Sequence, residues 1–90
     1  MKLLHYGVAT SRRNIECAFG AVLRKHRKAA GLSQMKLAER SGVSTNFISF
    51  CERGIQHPTL NSLFLLAEGL GVEPVDLIAD VQELKPIPKI

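Results

Sequence analysis

The side chains best suited to binding chemistry are polar groups crowded into one short stretch, residues 34–53. The apolar residues of this stretch are spaced to face inward together if two short helices cross: Leu37, Ala38, Val43, Ile48 and Cys51. The first helix would run from Gln34 to Ser41, Gly42 would form the turn, and the second would open at Ser44. This spacing is the helix-turn-helix pattern, which lays its second helix in the major groove of DNA.

The second helix carries side chains that can contact base edges. Its outward face consists of Ser44, Thr45, Asn46, Ser49 and Phe50. Asn46 can bond N6 and N7 of adenine in a bidentate manner, and Thr45 offers a hydroxyl or a methyl group. Phe50 could meet a thymine methyl or pack against the neighbouring helix, and both interpretations stay open.

Phosphate contacts are expected around this reading face. Gln34 opens the first helix, where free backbone N–H groups and the positive end of the dipole suit a phosphate; the alternative is a solvent-exposed glutamine. The second helix contains no basic residue before Arg53. Phosphate affinity would therefore rest on Arg53, Lys36, Arg40 and the basic run at 24–28.

Charge is distributed unequally along the 90 residues, whose formal net charge is +4. Residues 1–53 hold ten of the twelve Lys and Arg residues and three of the eight acidic residues. The asymmetry favours a polyanionic partner, although a solvated charged surface also explains it. An N-terminal arm, residues 1–13, contains Arg12 and Arg13 and could enter a minor groove or be simply disordered.

Capping residues and glycines predict five helices. The expected N-caps are Ser11 or Asn14, then Ser33, Ser44 and Thr59, with Pro74 opening the last helix, and the expected stops are Gly31, Gly42, Gly54 and Gly71. The fifth helix should end near Asp80. We therefore predict an all-α domain over residues 14–80, with extended tails at 1–13 and 81–90, because Pro86 and Pro88 do not fit a helix interior.

The chain resembles a known family at several anchors: Gly31-Leu32-Ser33-Gln34, Leu37-Ala38, Gly42-Val43-Ser44, Glu52-Arg53-Gly54 and Pro58-Thr59-Leu60. Over roughly residues 15–80 it is similar to the Cro/repressor-type (XRE) helix-turn-helix family. The resemblance implies a five-helix, lambda-repressor-like DNA-binding domain that acts as a transcriptional regulator, commonly as a homodimer on a two-fold symmetric operator. Members often carry Arg or Lys at the positions of Thr45, Gln56 and His57, which this chain lacks.

The resemblance also implies an ion pair between Arg27 and Glu52 that ties the first helix to the third. An alternative role for Arg27 is a phosphate contact. In the family the glutamine that matches Gln34 holds phosphate and can brace a side chain of the second helix of the motif.

Enzymatic and metal-dependent functions find no support in the sequence. The histidines and cysteines show no metal-ligand spacing, and no phosphate-binding glycine loop is present, so we expect no cofactor and no metal. His26 is expected to bond to backbone at the core boundary, and Cys17 and Cys51 to remain free thiols. Without a signal peptide or an apolar span, the protein is expected in the cytoplasm, at the nucleoid in a prokaryote.

Surplus apolar residues predict an interface. Phe64 and Leu65, with Val81 and Leu84 of the tail, form the expected homodimer contact. A partner protein, as for an antitoxin or a phage regulator, would also explain them, and DNA binding would then be weak or secondary. Because no sensing domain follows residue 90, we expect a small autonomous switch of the phage-repressor or restriction–modification-controller type.

Overall fold

The computed structural model describes residues 13–90, and within this range the chain forms five helices and no strand. The helices are α1 (Ile15–Ala29), α2 (Gln34–Ser41), α3 (Thr45–Glu52), α4 (Leu60–Leu70) and α5 (Pro74–Glu83). The all-α, five-helix prediction is confirmed. Residues 1–12, which make up most of the expected N-terminal arm, lie outside the described residues.

Short polar side chains cap the amino ends of four of the five helices. The Ser33 hydroxyl accepts a hydrogen bond from the Lys36 amide, and Ser44 accepts one in the same way at the start of α3. Thr59 and Asn14 cap α4 and α1. Each such cap contributes about 1 kcal/mol, because it satisfies a backbone N–H that the helix leaves unpaired.

Each helix contributes a large, fully buried aliphatic side chain to the core. These residues are Leu23, Leu37, Ile48, Leu66 and Leu77. Cys51 of α3 is buried among them as a free thiol. Burial, with a smaller effect from the charge of Glu52, raises the pKa of the Cys51 thiol to about 11, so this cysteine serves as a small apolar packing group.

Two glycines inside helices let α2 and α3 approach their neighbours closely. A β-carbon on Gly20 of α1 would overlap the carbonyl oxygen of Cys51 in α3. A β-carbon on Gly69 of α4 would lie 2.9 Å from Cβ of Ser41 in α2. Helices α3 and α2 therefore pack closely against α1 and α4, respectively, at positions where only glycine leaves enough space.

The end of the chain is more structured than the predicted tail. Helix α5 continues to Glu83, past Asp80, because Val81 and Leu84 extend its apolar stripe and pack, half-buried, against the core. After α5 the chain is extended, and the Ile87 amide donates to the Arg13 carbonyl at 2.9 Å. The C-terminal segment thus runs back to the start of α1.

His26 corrects one expectation from the sequence. Its Nε2 atom lies 2.7 Å from Oδ2 of Asp80 in α5, so its partner is a carboxylate and not the backbone. Lys25 lies 3.9 Å from the same oxygen. These contacts join α1 to α5, which lie far apart in the sequence. The local sequence pattern therefore does not predict them.

Candidate nucleic-acid interface

Helices α2 and α3 are joined by a turn of minimal length. Gly42 has φ 78° and ψ 4°, a left-handed conformation that is costly for residues with a side chain. The buried Ser41 hydroxyl accepts a hydrogen bond from the Val43 amide, which closes the turn from inside. The turn fixes the angle at which α3 leaves α2.

The first turn of α3 presents polar side chains to solvent. Ser44, Thr45 and Asn46 are exposed, whereas Ser49 and Phe50 are half-buried. The Ser44 oxygen already accepts from the Phe47 amide, but its hydroxyl proton can still be donated outward. Phe47 is half-buried and packs against the core, so it is not part of this exposed face. The amino-terminal half of α3 therefore carries the exposed polar side chains that could contact base edges.

A hydrogen-bonded ion pair holds the other end of α3. Arg27 Nε lies 2.6 Å from Glu52 Oε2, and its Nη2 lies 2.9 Å from Oε1, which makes a bidentate pair. The side chains are 11% and 4% exposed. A third guanidinium nitrogen, Nη1, donates to the Leu32 carbonyl at 2.8 Å. The structure thus brings together the two residues expected to tie α1 to α3.

The environment of the pair keeps both groups charged. Burial disfavours the ionised form of Glu52, but the hydrogen bonds from Arg27 and Gln34 outweigh burial and hold the pKa of this carboxyl below its ordinary value. The hydrogen bond with Glu52 raises the pKa of Arg27. Since a buried charge without its partner is costly, the pair fixes the orientation of α3.

Gln34 belongs to the same network. Its Nε2 donates to Glu52 Oε1 at 3.0 Å, so the first residue of α2 braces the last residue of α3. The amide has two N–H donors and this bond takes one. A phosphate contact by Gln34 is compatible with this geometry.

The predicted basic contacts lie on both sides of the exposed turn. Lys36 pairs with Glu39 at 3.2 Å, and both side chains are more than half exposed, so the pair contributes little and a phosphate can replace it. The Arg53 guanidinium lies 5.1 Å from the centroid of the Phe50 ring. Phe50 therefore supports a cation on its face, a role that the sequence did not suggest.

The predicted interface residues separate into two groups. Phe64 is 59% exposed and lines an open groove with the half-buried Leu65, whereas Val81 and Leu84 are partly covered by their own core. Leu60 at the start of α4 fits the apolar spacing of that helix but is 74% exposed. Two exposed apolar residues of α5, Val75 and Ile78, escaped the sequence analysis.

Metal binding and membrane insertion find no structural counterpart in the described chain. Residues 13–90 contain no group of three His, Cys, Asp or Glu side chains placed to hold a metal ion. None of the five helices is long and apolar enough to cross a membrane.

The sequence model of the helix-turn-helix family matches residues 23–77, a span that includes α2, α3 and both members of the Arg27–Glu52 pair. The HTH-type transcriptional regulator y4dJ of Sinorhizobium fredii is 38% identical over 64 residues, which cover 71% of this chain and 83% of that protein.

Two solved structures share the fold. The clp gene regulator ClgR from C. glutamicum aligns with a TM-score of 0.74 at 29% identity, covering 81% of this chain and 94% of the other. The restriction-modification controller protein C.AhdI from Aeromonas hydrophila aligns with a TM-score of 0.66 at 39% identity, covering 69% and 94%.

Proposed function

The chain belongs to the helix-turn-helix family, and from that premise we propose that it is a sequence-specific transcriptional regulator that binds double-stranded DNA. The observation that carries the proposal is the difference between the two ends of α3. Its carboxyl end is fixed by the buried Arg27–Glu52 pair, and its amino end exposes polar side chains. A rigidly held helix with an exposed polar first turn is suited to insertion into a major groove.

The contacts divide into base readers and phosphate contacts. Thr45, Asn46 and Ser49, with Ser44 at the cap, read base edges, and Asn46 selects adenine. Gln34, Lys36 and Arg53 bind the backbone on either side of the groove, which sets register and not sequence. No cofactor takes part. Because genomic DNA is its ligand, the protein acts in the cytoplasm, at the nucleoid.

A homodimer on a two-fold symmetric operator completes the proposal. Exposed apolar side chains of α4 and α5, among them Leu60, Phe64 and Ile78, offer a surface for a second copy. Two copies of α3 would then meet half-sites about one helical turn apart, roughly 34 Å. The similarity to the restriction-modification controller supports a small autonomous switch of that kind or of the phage-repressor kind.

The second candidate function is a protein-interaction module with weak or secondary DNA binding. The exposure of Phe64 and its neighbours favours it, because a partner of another sequence could cover the same surface. An antitoxin or a phage regulator would work in this way.

Selection from random duplexes at two salt concentrations tests the proposal. The regulator should enrich a two-fold symmetric sequence, and its affinity should fall steeply with salt because each neutralised phosphate releases counterions. If no sequence is enriched and salt has no effect, the proposal fails and the interaction module replaces it.

A further inference from the structure

An open cleft of about 270 Å³ lies where α1 passes the carboxyl end of α3. Three arginines line it: Arg13 just before α1, Arg24 within α1, and Arg53 at the end of α3. Between them the wall is built from small residues, Gly20 and Ala21 of α1 among them. The cleft is open to solvent, so a ligand could reach the guanidinium groups from outside.

The charge in this cleft is not balanced within the described chain. Across residues 13–90, no carboxylate lies within ion-pair distance of Arg13, Arg24 or Arg53. The one acidic residue that lines the cleft is Glu52, whose carboxylate is hydrogen-bonded by Arg27 and Gln34 and also attracts Arg24 electrostatically. Three arginines and one already engaged carboxylate leave the cleft with an excess of positive charge, which an anion would neutralise.

The position of Arg53 relates the cleft to the reading face. From Thr45 to Arg53 the chain advances eight residues along the helix, about 12 Å at 1.5 Å per residue. The major groove is about 12 Å wide, so a helix with its first turn on the bases has its last turn near a sugar–phosphate wall. The Arg53 guanidinium lies 5.1 Å from the centroid of the Phe50 ring, which restrains its position at this end of α3.

We propose that the arginine cleft formed by Arg13, Arg24 and Arg53 binds one phosphodiester of the DNA backbone beside the half-site. This inference rests on the proposed function and assigns two residues, Arg13 and Arg24, that lie outside the helix-turn-helix motif. Guanidinium groups donate to phosphate oxygens through a planar set of N–H groups, so arginines around one cleft can share the two non-bridging oxygens of a phosphodiester.

The C-terminal segment is the positioning element of this site. The Ile87 amide donates to the carbonyl of Arg13 at 2.9 Å, and Lys89 pairs with Glu16 in the first turn of α1 at 3.2 Å. These contacts hold the main chain of Arg13 in place. Ile87 thus acts through Arg13 and does not touch the ligand.

The test uses the duplex obtained by selection and a set of the same duplexes with one backbone phosphate at a time replaced by a neutral methylphosphonate. Binding of the wild type, Arg13→Gln, Arg24→Gln and Lys85→Gln is measured over a range of salt. Lys85→Gln is the control for the loss of one positive charge, since Lys85 is exposed and lies outside the cleft.

The proposal predicts that one methylphosphonate position weakens the wild type and Lys85→Gln but not Arg13→Gln or Arg24→Gln. Because the cleft binds one phosphate, each cleft variant should also reduce the slope of log K against log salt by up to about 1, whereas Lys85→Gln should leave it close to that of the wild type. Ile87→Pro, which removes the amide donor, should behave like Arg13→Gln, and Ile87→Ala, which keeps it, like the wild type.

Three results would overturn the inference. One is that the selected duplex binds and Arg24→Gln matches Lys85→Gln at every methylphosphonate position, which leaves the proposed function intact. A second is that inorganic phosphate titrates the three arginines while their loss leaves DNA binding unchanged, which would make the cleft a site for free anions. The third is that selection yields no duplex, in which case the proposed function fails as well.

Discussion

Gly20 of α1 lies directly against the main-chain carbonyl oxygen of Cys51 in α3, with the Glu52 carbonyl oxygen 3.0 Å from where a β-carbon would stand. Both contacts are with main-chain atoms, which cannot move aside without displacing the helix. Helix α3 therefore packs on α1 by main-chain contact at the same end where Glu52 meets Arg27. This relationship fixes the base from which the exposed first turn of α3 projects.

Gly20→Ala should destabilise the fold. Alanine favours an exposed helix over glycine by up to about 1 kcal/mol, but here its methyl group overlaps a carbonyl, and overpacking of this kind costs about 1–3 kcal/mol or more. Urea unfolding measures the change, with Ala29→Gly at the exposed end of α1 as the control for helix propensity. Equal or greater stability of Gly20→Ala would contradict the close approach.

The Arg27–Glu52 pair should show strong coupling in a double-mutant cycle. Arg27→Met alone leaves the Glu52 charge buried, and breaking such a pair costs about 3–5 kcal/mol. The double variant Arg27→Met/Glu52→Leu should lose much less than the sum of the single variants. The cycle for the exposed pair Lys36–Glu39 is the matched control, with an expected coupling of about 0.2–1 kcal/mol. Similar coupling energies in the two cycles would show that the buried pair does not hold α3.

Stability should fall in acid through Glu52. Its pKa in the folded state lies below the ordinary value of 4.5, since hydrogen bonds from Arg27 and Gln34 outweigh its burial. The stabilisation is therefore present above pH 4.5 and is lost as the pH falls through the folded-state pKa. Unfolding free energies of the wild type and Glu52→Gln should differ most near neutral pH and converge in acid. Parallel curves from pH 7 to 3 would contradict this role for Glu52.

Local chemistry made the helices predictable. Ser33, Ser44 and Thr59 act as caps where the sequence placed them, because capping depends on a side chain and the backbone two or three residues away. The burial of Leu37 and Ile48 followed from helical spacing in the same way. Helix caps and the inward spacing of apolar residues both depend on residues that are close together in the sequence, so both could be predicted from it.

Contacts between distant segments were not predictable from spacing. His26 meets Asp80 across 54 positions, and no local pattern links them. Glycine inside a helix is unfavourable, so Gly20 and Gly69 indicated positions where another segment packs closely. The sequence did not identify which segment each glycine contacts. Leu60 fitted the apolar pattern of α4 and is nevertheless exposed.

The candidate site, like the fold, could be predicted from the sequence only in part. The resemblance to a family supplied the pair of Arg27 and Glu52, and the helix pattern supplied Asn46 and its neighbours. The cleft of Arg13, Arg24 and Arg53 became visible only in three dimensions, because the extended C-terminal segment and the packing of α1 on α3 bring those residues to one place.

In the proposed complex the exposed first turn of α3 reads bases while the surrounding arginines bind phosphates. The most direct measurement compares the base preference of Asn46→Ala, Arg53→Ala and the control Asn61→Ala on single-base variants of the selected duplex. Asn46→Ala should lose about 1–3 kcal/mol of discrimination at one adenine, whereas Arg53→Ala should weaken binding to all sequences alike and Asn61→Ala should leave preference unchanged. Equal loss of affinity in Asn46→Ala and Arg53→Ala, with no change of preference in either, would contradict the account.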